Sequence, residues 1–320
     1  MPSEVLITTG ARLHFGPLSY APQSGRHFGG AGMMIDSPGF RVTVRKSEME
    51  EIVAGGATLS RVRCLLARYR ERCSSDRQPP PVRIAIDEEI PAHAGLGSGT
   101  QLALAVAEAL AILAGEGTCP PDVLAARMGR GARSAIGLNG FARGGFLVDG
   151  GKRDRESPGV IVARIDVPSE WRFVLVTPSD RPGLSGTAES DAFARLAPMP
   201  DETTERLCRV LLLDLLPAIV SADFAAASTA LDEYGRRVGE YFAPVQGGIF
   251  AHPRMRELAE DLRKRGIAGV GQTSWGPTLF ALMGDEDAAN RLLHSLRDSD
   301  WRDCALRVAR PLNTGAAVEV

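Results

Sequence analysis

Residues Pro91–Gln101 read PAHAGLGSGTQ, a loop in which three glycines alternate with Leu96 and Ser98. The β-branched segment Val82–Asp87 precedes this loop, and an Ala- and Leu-rich helical pattern follows it over residues 102–113. Between a strand and a helix, unshielded backbone N–H groups and the positive end of the helix dipole bind anions. The stretch therefore predicts a cradle for a phosphorylated ligand. The alternative is a tight turn whose glycines only allow the helix and the strand to pack closely.

The glycine spacing separates this loop from the two commonest phosphate-binding motifs. A P-loop carries a Lys directly after its last glycine, and no Lys lies near this loop. The dinucleotide-binding motif requires Gly-x-Gly-x-x-Gly, whereas the glycines here are Gly95, Gly97 and Gly99. The loop is therefore predicted to bind phosphate through a third type of glycine motif.

The composition is typical of a globular protein that acts on small molecules. The 320 residues are 44% hydrophobic and 24% charged with a formal net charge of −2, enough chain for one large domain or two ordinary ones. Residues 1–10 lack a secretory signal pattern, and the apolar run 102–113 is too short to span a bilayer. Five scattered cysteines without a Cys-x-x-Cys pair favour reduced thiols. We expect a cytoplasmic protein that binds neither nucleic acid nor membrane.

Apolar periodicity and the placement of Gly and Pro predict an α+β protein in two parts. Strands are expected at residues 4–9, 33–36, 41–45, 82–87, 171–177, 278–283 and 301–309. Helices are expected at residues 58–72, 99–114, 121–130, 201–216, 221–241, 253–265 and 286–296. A composition shift after the charged segment 152–158 predicts a boundary near residue 165, between two domains that share a cleft.

Two Arg/His pairs near the N-terminus flank a glycine-rich loop that includes Gly29–Gly30. They are Arg12 with His14 and Arg26 with His27. Alternation along a strand would place Arg12 and His14 on one face. A guanidinium group binds carboxylate or phosphate with two hydrogen bonds, and an imidazole transfers protons or orients an anion. We interpret these four residues as candidate catalytic groups; the other interpretation is an ordinary solvated surface strand.

A third constellation lies in Gly269–Pro277 (GVGQTSWGP), a turn of small residues that leads into a predicted strand. The side chains of Gln272, Thr273 and Ser274 are able to hydrogen-bond a ligand. Trp275 would stack on a ring or cover it. The alternative is that Trp275 is a core aromatic residue beside a tight turn.

Seven segments, in order along nearly the whole chain, resemble the β-ribofuranosylaminobenzene 5′-phosphate synthases, a non-kinase branch of the GHMP kinase superfamily. They are Arg12–Phe15 (RLHF), Gly29–Gly32 (GGAG), Pro91–Leu104 (PAHAGLGSGTQLAL), Ser134–Gly137 (SAIG), Gly144–Gly151 (GGFLVDGG), Gln246–Phe250 (QGGIF) and Gly271–Pro277 (GQTSWGP). The segments GLGSGTQ and QTSWGP are the most specific of them.

The resemblance implies a two-domain GHMP kinase-like fold with the ligand cleft between the domains. Domain 1–165 would carry the phosphate loop, and domain 166–320 would be an α/β sandwich of ferredoxin-like type. The implied reaction condenses 5-phosphoribosyl 1-diphosphate with 4-aminobenzoate or 4-hydroxybenzoate, releasing carbon dioxide and diphosphate, in tetrahydromethanopterin biosynthesis. Mg²⁺ bound with the donor and a homodimeric assembly are also expected, whereas the metal's ligands remain open.

Roles for individual residues follow from that chemistry. The donor's diphosphate or 5′-phosphate is expected at Gly95, Leu96, Gly97, Ser98, Gly99, Thr100 and Gln101. Further substrate contacts are expected from Gly29, Gly30, Ser134, Gln272 and Ser274, with Trp275 as a wall of the aromatic pocket. Arg26 or Arg12 would orient the benzoate carboxylate, and His14 or His27 would assist proton movement. Asp36 would complement developing positive charge or, equally, form a turn before Ser-Pro.

The alternative enzyme is an ATP-dependent GHMP small-molecule kinase. Mevalonate-type kinases carry a Lys in the first motif and an Asp shortly after a Ser-Gly, and the matching positions here look like Arg12 and Gly137. Without that carboxylate, one route to deprotonating an acceptor hydroxyl is missing. A regulator that binds a phosphorylated metabolite on the same fold is the non-enzymatic alternative.

Overall fold

The structure, a computed structural model, describes residues 2–131, 134–154, 159–180, 183 and 186–320. The strands are β1 (Glu4–Gly16), β2 (Gly30–Lys46), β3 (Glu51–Val53), β4 (Val82–Glu88), β5 (Phe146–Asp149), β6 (Ile161–Ile165), β7 (Arg172–Thr177), β8 (Val270–Gln272), β9 (Leu279–Met283), β10 (Ala305–Ala309) and β11 (Ala317–Glu319). The helices are α1 (Gly56–Arg72), α2 (Ser98–Leu113), α3 (Pro121–Met128), α4 (Ile136–Arg143), α5 (Gly186–Arg195), α6 (Asp201–Arg209), α7 (Leu216–Val220), α8 (Phe224–Gln246), α9 (Pro253–Lys264) and α10 (Glu286–Arg297).

The larger sheet joins strands from both ends of the chain. Its main path is β11-β1-β2-β4-β3, and β2 also pairs with β5, which in turn pairs with β6. The β1–β2 ladder is antiparallel and is interrupted by bulges between Thr9 and Ala11 and between His14 and Gly16. The predicted division at residue 165 falls at the end of β6, but β11 returns to this first sheet. The two domain ranges themselves stay a prediction.

The smaller sheet lies in the second half of the chain, with the antiparallel order β10-β7-β9-β8. Helices α9 and α10 cover it through buried Leu side chains such as Leu258 and Leu296. Helix α8 connects the sheets, because it packs against both β1 and β8. Its fully buried Tyr234 donates a hydrogen bond to the carbonyl oxygen of Gly16 over 3.2 Å.

Helix α2 is buried around almost its whole circumference, as its sequence indicates. Apart from Glu108, the residues of its middle and end (LALAVAEALAIL) are apolar, and a helix that is apolar all round is a buried helix. Small Ala side chains let β1, β2, α1, α3 and α4 approach it from every side. The packing fixes where the first residues of α2 point.

Several elements depart from the periodicity-based expectations. The sequence predictions did not include helices α4 and α5 or strands β3, β5, β6, β8 and β11. Glycines in α4 lower its helix propensity, and the strands are only three to five residues long. Gly140 of α4 allows close contact with the side chain of Met34 on β2, so packing overrides its low helix propensity. The helix expected at 201–216 continues from α6 through a π-helical turn, Val210–Leu215, into α7. The strand expected at 301–309 begins only at Ala305, after turns.

No helix in the described part of the chain is both long and apolar enough to cross a membrane.

The bulge in β1 generates a stability prediction. A Cβ atom on Gly10 would overlap the backbone carbonyl oxygen of Ile35 on β2, which is not free to move. Gly10→Ala should therefore lower the free energy of unfolding by about 1–3 kcal/mol. Urea unfolding measures the change, with Gly55→Ala as the control, because a Cβ on Gly55 meets no atom within 4 Å. Equal stabilities of the two variants would contradict this account of the bulge.

Candidate active site at the start of helix α2

At two positions, the glycine loop adopts a left-handed backbone conformation that would strain any other residue. Gly95 and Gly97 have φ of +78° and +76°. A Cβ on Gly95 would lie 2.5 Å from the carbonyl oxygen of Thr273, and one on Gly97 would lie 3.2 Å from Cβ of Arg12. The N-cap residue of α2 is Gly97, which has no side chain to cap the first turn of the helix. The loop therefore presents the start of the helix to its surroundings, as the anion-cradle prediction requires.

Two hydrogen bonds hold the loop against segments from the first and the second half of the chain. The N–H of Arg12 on β1 donates to the Leu96 carbonyl over 3.0 Å. The hydroxyl of Thr273, which follows β8, donates to the Gly95 carbonyl over 2.9 Å. The same hydroxyl accepts from the N–H of His14 over 3.0 Å. Thr273 is fully buried, so its hydroxyl holds the cleft together and does not face a ligand.

A cleft of about 520 Å³ opens beside this loop. The loop, both halves of the chain and a second glycine-rich region of the sequence, residues 129–151, contribute to its walls. Its described lining consists of Arg12, His14, Pro17, Phe28, Gly29, Arg61, His93, Gly95, Leu96, Gly97, Ser98, Gly99, Thr100, Gly129, Arg130, Gly131, Ser134, Gly186, Glu189, Phe193 and Ser274. Of the residues predicted to bind substrate, the described lining thus contains Gly29, the loop residues 95–100, Ser134 and Ser274.

Three guanidinium groups line the cleft near the loop: those of Arg12, Arg61 and Arg130. The Arg61 Nη2 donates to the Ser98 hydroxyl over 3.3 Å, and its Nη1 is buried without a hydrogen-bond partner among the described residues. Burial lowers the pKa of Arg61, and the Glu89 carboxylate opposes that shift. A Cβ on Gly99 would lie 3.4 Å from Arg130 Nη1, which places this group against the first turn of α2. The arrangement suits a polyanion such as a diphosphate.

Sequence reasoning missed Arg61 and Arg130. Arg61 belongs to the arginine-rich helix α1, and charged side chains on a helix usually face solvent. Arg130 follows α3 after Gly129, which has φ of +62° and turns the chain toward the cleft. The available signal was the position of Arg130 inside the second glycine-rich region, where a backbone approaches a ligand or another chain segment closely.

His14 faces the cleft as a neutral ring with a defined tautomer. Its Nδ1 accepts a hydrogen bond from the N–H of Gly16 over 3.2 Å, so the proton of the neutral ring lies on Nε2. Nε2 is 3.3 Å from the Ser134 hydroxyl and donates to it. Burial and, next, the charge of Arg12 lower the pKa of His14 well below its ordinary 6.5. His14 therefore acts near neutral pH as a hydrogen-bond donor into the site.

Asp149 positions the turn that carries Ser134. Its fully buried carboxylate accepts hydrogen bonds from the N–H groups of Ala135 (2.7 Å) and Gly151 (2.8 Å). Burial raises the pKa of Asp149, and these backbone hydrogen bonds counteract that shift. Sequence reasoning named no role for this residue. The signal was a carboxylate at the end of the apolar strand β5, immediately before two glycines.

The four predicted catalytic residues separate into two pairs. Arg12 and His14 line the cleft, but Arg26 and His27 are not among its described lining. Arg26 donates through Nε to the carbonyl of Gly150 (2.9 Å) and through Nη2 to that of Gly151 (2.8 Å). The backbone of His27 exchanges two hydrogen bonds with Lys152. These contacts hold the segment that carries Phe28 and Gly29, and a catalytic role for Arg26 and His27 stays a prediction.

Five further predicted contact residues are not in the described lining: Gln101, Asp36, Gly30, Gln272 and Trp275. Gln101 is fully buried, accepts from the Thr9 hydroxyl (2.7 Å) and donates to the Gly137 carbonyl (2.8 Å). The carboxylate of Asp36 instead accepts from the N–H of Arg310 over 2.8 Å.

Gly30 begins β2 and leaves room for the Gly16 carbonyl, which a Cβ would approach to 2.6 Å. Gln272 accepts from the N–H of Ala251 over 2.7 Å. Trp275 is only 3% exposed, so the core interpretation of this residue holds.

The cleft does not offer a cluster of metal ligands among the described residues. Glu189 is the one carboxylate in its described lining. No group of three or more His, Cys, Asp or Glu side chains suited to a metal ion occurs in the described part of the chain. Since Mg²⁺ sites use carboxylates and substrate phosphates, the described residues do not fit a magnesium ion held by the protein itself.

Family models for the GHMP kinases N terminal domain and the GHMP kinases C terminal match residues 60–144 and 215–301. The β-ribofuranosylphenol 5′-phosphate synthase of Archaeoglobus fulgidus is 30% identical over 98% of this chain and 99% of its own length. The chain belongs to the β-ribofuranosylphenol 5′-phosphate synthase family. A member from Methanothermobacter thermautotrophicus is 29% identical over 91% of this chain and 92% of its own. The sequence-based family assignment is confirmed, and the chain is an enzyme related to these synthases.

Solved structures confirm the predicted α+β GHMP kinase-like fold of this synthase family member. Homoserine kinase from Cytophaga hutchinsonii superposes with a TM-score of 0.66 at 16% identity, covering 100% of this chain and 98% of the kinase. Mevalonate diphosphate decarboxylase from Staphylococcus aureus superposes with a TM-score of 0.69 at 13% identity, covering 100% and 99%. At these identities the likeness concerns the fold alone.

The role of Arg61 is testable with inorganic diphosphate as the ligand. Arg61→Gln should weaken diphosphate binding about ten- to hundred-fold, because a hydrogen bond to a charged group contributes about 1.5–3 kcal/mol. Titration calorimetry measures the affinity. Arg63→Gln, an exposed arginine on the same helix, is the matched control and should bind like the parent protein. Equal affinities of the two variants would exclude Arg61 from the anion site.

The lowered pKa of His14 predicts a pH-dependent stability. Below about pH 6.5 the unfolded state protonates this histidine while the native state does not, so the free energy of unfolding falls as pH falls. His14→Gln should show a shallower fall between about pH 6.5 and 5 in urea unfolding. His294→Gln, which removes an exposed histidine, should retain the parent's slope. A parent-like slope in His14→Gln would mean that other groups cause the dependence.

Proposed function

We propose that this enzyme joins 5-phosphoribosyl 1-diphosphate to 4-aminobenzoate or 4-hydroxybenzoate, releasing carbon dioxide and diphosphate and forming a C-glycoside 5′-phosphate. The main support for the proposal is the lining of the cleft, in which the guanidinium groups of Arg12, Arg61 and Arg130 lie beside the start of α2. The curated relatives are named for a ribofuranosylphenol product. Tetrahydromethanopterin biosynthesis as the pathway, the cytoplasm as the location and a homodimer as the assembly belong to the same proposal.

The charges of the cleft suit the departure of diphosphate. As the bond between C1 and the diphosphate oxygen breaks, negative charge grows on the leaving group while the ribose approaches an oxocarbenium ion. Arg12, Arg61, Arg130 and the dipole of α2 would stabilise that negative charge. Such preorganised donors act most strongly where charge develops in the transition state.

The reaction needs no net proton transfer. The ring carbon that bears the carboxylate attacks C1, and loss of carbon dioxide returns the bonding electrons to the ring and restores aromaticity. A general base is therefore dispensable in this step. This agrees with Gly137 at the position where mevalonate-type kinases carry an Asp. A Cβ on Gly137 would lie 3.6 Å from Arg12 Nη1, so a carboxylate there would pair with Arg12.

Mg²⁺ enters the proposal only as a counter-ion that the donor brings with its phosphates. The described residues offer it no carboxylate cluster, and no step above passes through it.

Product analysis tests the proposal directly. The purified protein, given 5-phosphoribosyl 1-diphosphate and carboxyl-labelled 4-aminobenzoate or 4-hydroxybenzoate, should release labelled carbon dioxide and diphosphate in equal amounts. Gly97→Val should abolish the reaction, because its side chain would strain a backbone with φ of +76° and press on Arg12.

Gly117→Val is the matched control, since Gly117 has φ of +73° but a Cβ there meets no atom within 4 Å. Formation of ADP from ATP and a hydroxyl acceptor, with no release of carbon dioxide that depends on 5-phosphoribosyl 1-diphosphate, would contradict the synthase proposal. It would support the alternative of a GHMP small-molecule kinase. If 5-phosphoribosyl 1-diphosphate stabilises the protein against unfolding but no turnover occurs, the result would support the alternative of a regulator that binds a phosphorylated metabolite.

A further inference from the structure

The cleft has an aromatic wall in addition to its cationic one. Phe28 and Phe193 line it, and their ring centroids are 5.9 Å apart with an interplanar angle of 80°. Both side chains are partly exposed. Phe28 lies in the loop before β2 and Phe193 lies on α5, so two distant segments bring these rings together. The sequence motifs of the family resemblance include neither phenylalanine.

Phe28, whose ring lines the cleft, has a strained backbone conformation. Phe28 has φ of +64°, a conformation that is rare for a bulky side chain and recurs at functional sites. Its carbonyl accepts from the N–H of Ser19 over 2.9 Å. Gly29, with φ of +69°, follows directly, and a Cβ on Gly29 would lie 2.9 Å from the Asp149 carbonyl oxygen. The contacts of Arg26 and His27 hold the same segment, so surrounding structure imposes this conformation on Phe28.

Phe193 is held by an aromatic cluster behind it. The buried Trp275 meets it edge-on, with ring centroids 5.1 Å apart and planes at 88°. Phe242 packs behind Trp275 at 4.4 Å, and Tyr20 packs on Phe193 at 5.5 Å. Trp275 thus supports the wall from within the protein, while Phe193 is the ring that reaches the cleft.

A backbone hydrogen bond and a short chain segment connect His14 with the residues around the aromatic wall. Ser274, the neighbour of Trp275, donates its N–H to the carbonyl of His14 over 2.8 Å. On the other side, Pro17 lies three residues after His14 and lines the cleft with Phe28. The donor's reacting C1 must lie between the anion-binding loop and the acceptor, so the acceptor ring has to bind on the side of the cleft away from the loop.

We propose that Phe28 and Phe193 hold the ring of the aromatic acid acceptor. The ring stacks edge-to-face or offset on these two side chains, as aromatic pairs prefer. Its carboxylate-bearing carbon points toward the loop and its para substituent points away from it. This inference deepens the proposed function and depends on it for the identity of the occupant.

Phe193→Leu tests the inference, because leucine fills similar apolar space without an aromatic face. We expect KM for 4-hydroxybenzoate and 4-aminobenzoate to rise about 3- to 10-fold, with KM for 5-phosphoribosyl 1-diphosphate unchanged. Phe193→Tyr should restore the acceptor KM. Phe242→Leu is the matched control, because it disturbs the same aromatic cluster without removing a ring from the described lining of the cleft.

Equilibrium binding of each aromatic acid, followed by calorimetry without the donor, separates this inference from the proposed function. Aromatic acid binding that weakens in Phe193→Leu but not in Phe242→Leu supports the acceptor subsite even if no carbon dioxide is released. Unchanged acceptor binding in Phe193→Leu overturns the inference even if the synthase reaction is observed. Adenosine binding that displaces the aromatic acid and depends on Phe193 also overturns it, because the wall would then hold a nucleotide base.

Discussion

The buried hydroxyl of Thr273 is the contact on which the geometry of the cleft depends. It donates to the Gly95 carbonyl of the loop and accepts from the N–H of His14 on β1, so one oxygen joins three segments from both halves of the chain. Removing it would leave two buried backbone groups without a partner, at a cost of about 1–3 kcal/mol for each. The glycine loop, the neutral imidazole of His14 and the aromatic wall beside Trp275 therefore keep their relative positions through the same small cluster.

The chemistry of the cleft follows from which charges it contains. Guanidinium groups surround the start of α2, His14 is neutral, and Glu189 supplies the one carboxylate in the described lining. Such an environment stabilises a departing polyanion and offers no strong base to an acceptor.

Sequence analysis located the loop that lines the cleft but not the direction of every side chain. The loop and α2 were predictable because the glycine spacing is specific and α2 has no polar face. Strand alternation correctly placed Arg12 and His14 on one face. The same motifs also contain Gln101 and Trp275, whose side chains are buried, and residue type alone does not reveal which way a side chain points. Arg61 was missed because an arginine on a helix is usually solvated, and Arg130 because it was expected to end helix 121–130. Only packing shows which arginine reaches a cleft.

The pairing of β11 with β1 has a consequence for how the molecule is made. Leu6, Ile7 and Thr8 lie opposite residues 317–319, so this edge of the first sheet is completed only after residue 319 has been synthesised. An open strand edge recruits other extended chains. Until β11 is in place, the edge of β1 is available to other extended chains, and the short strand that covers it carries the acidic Glu319.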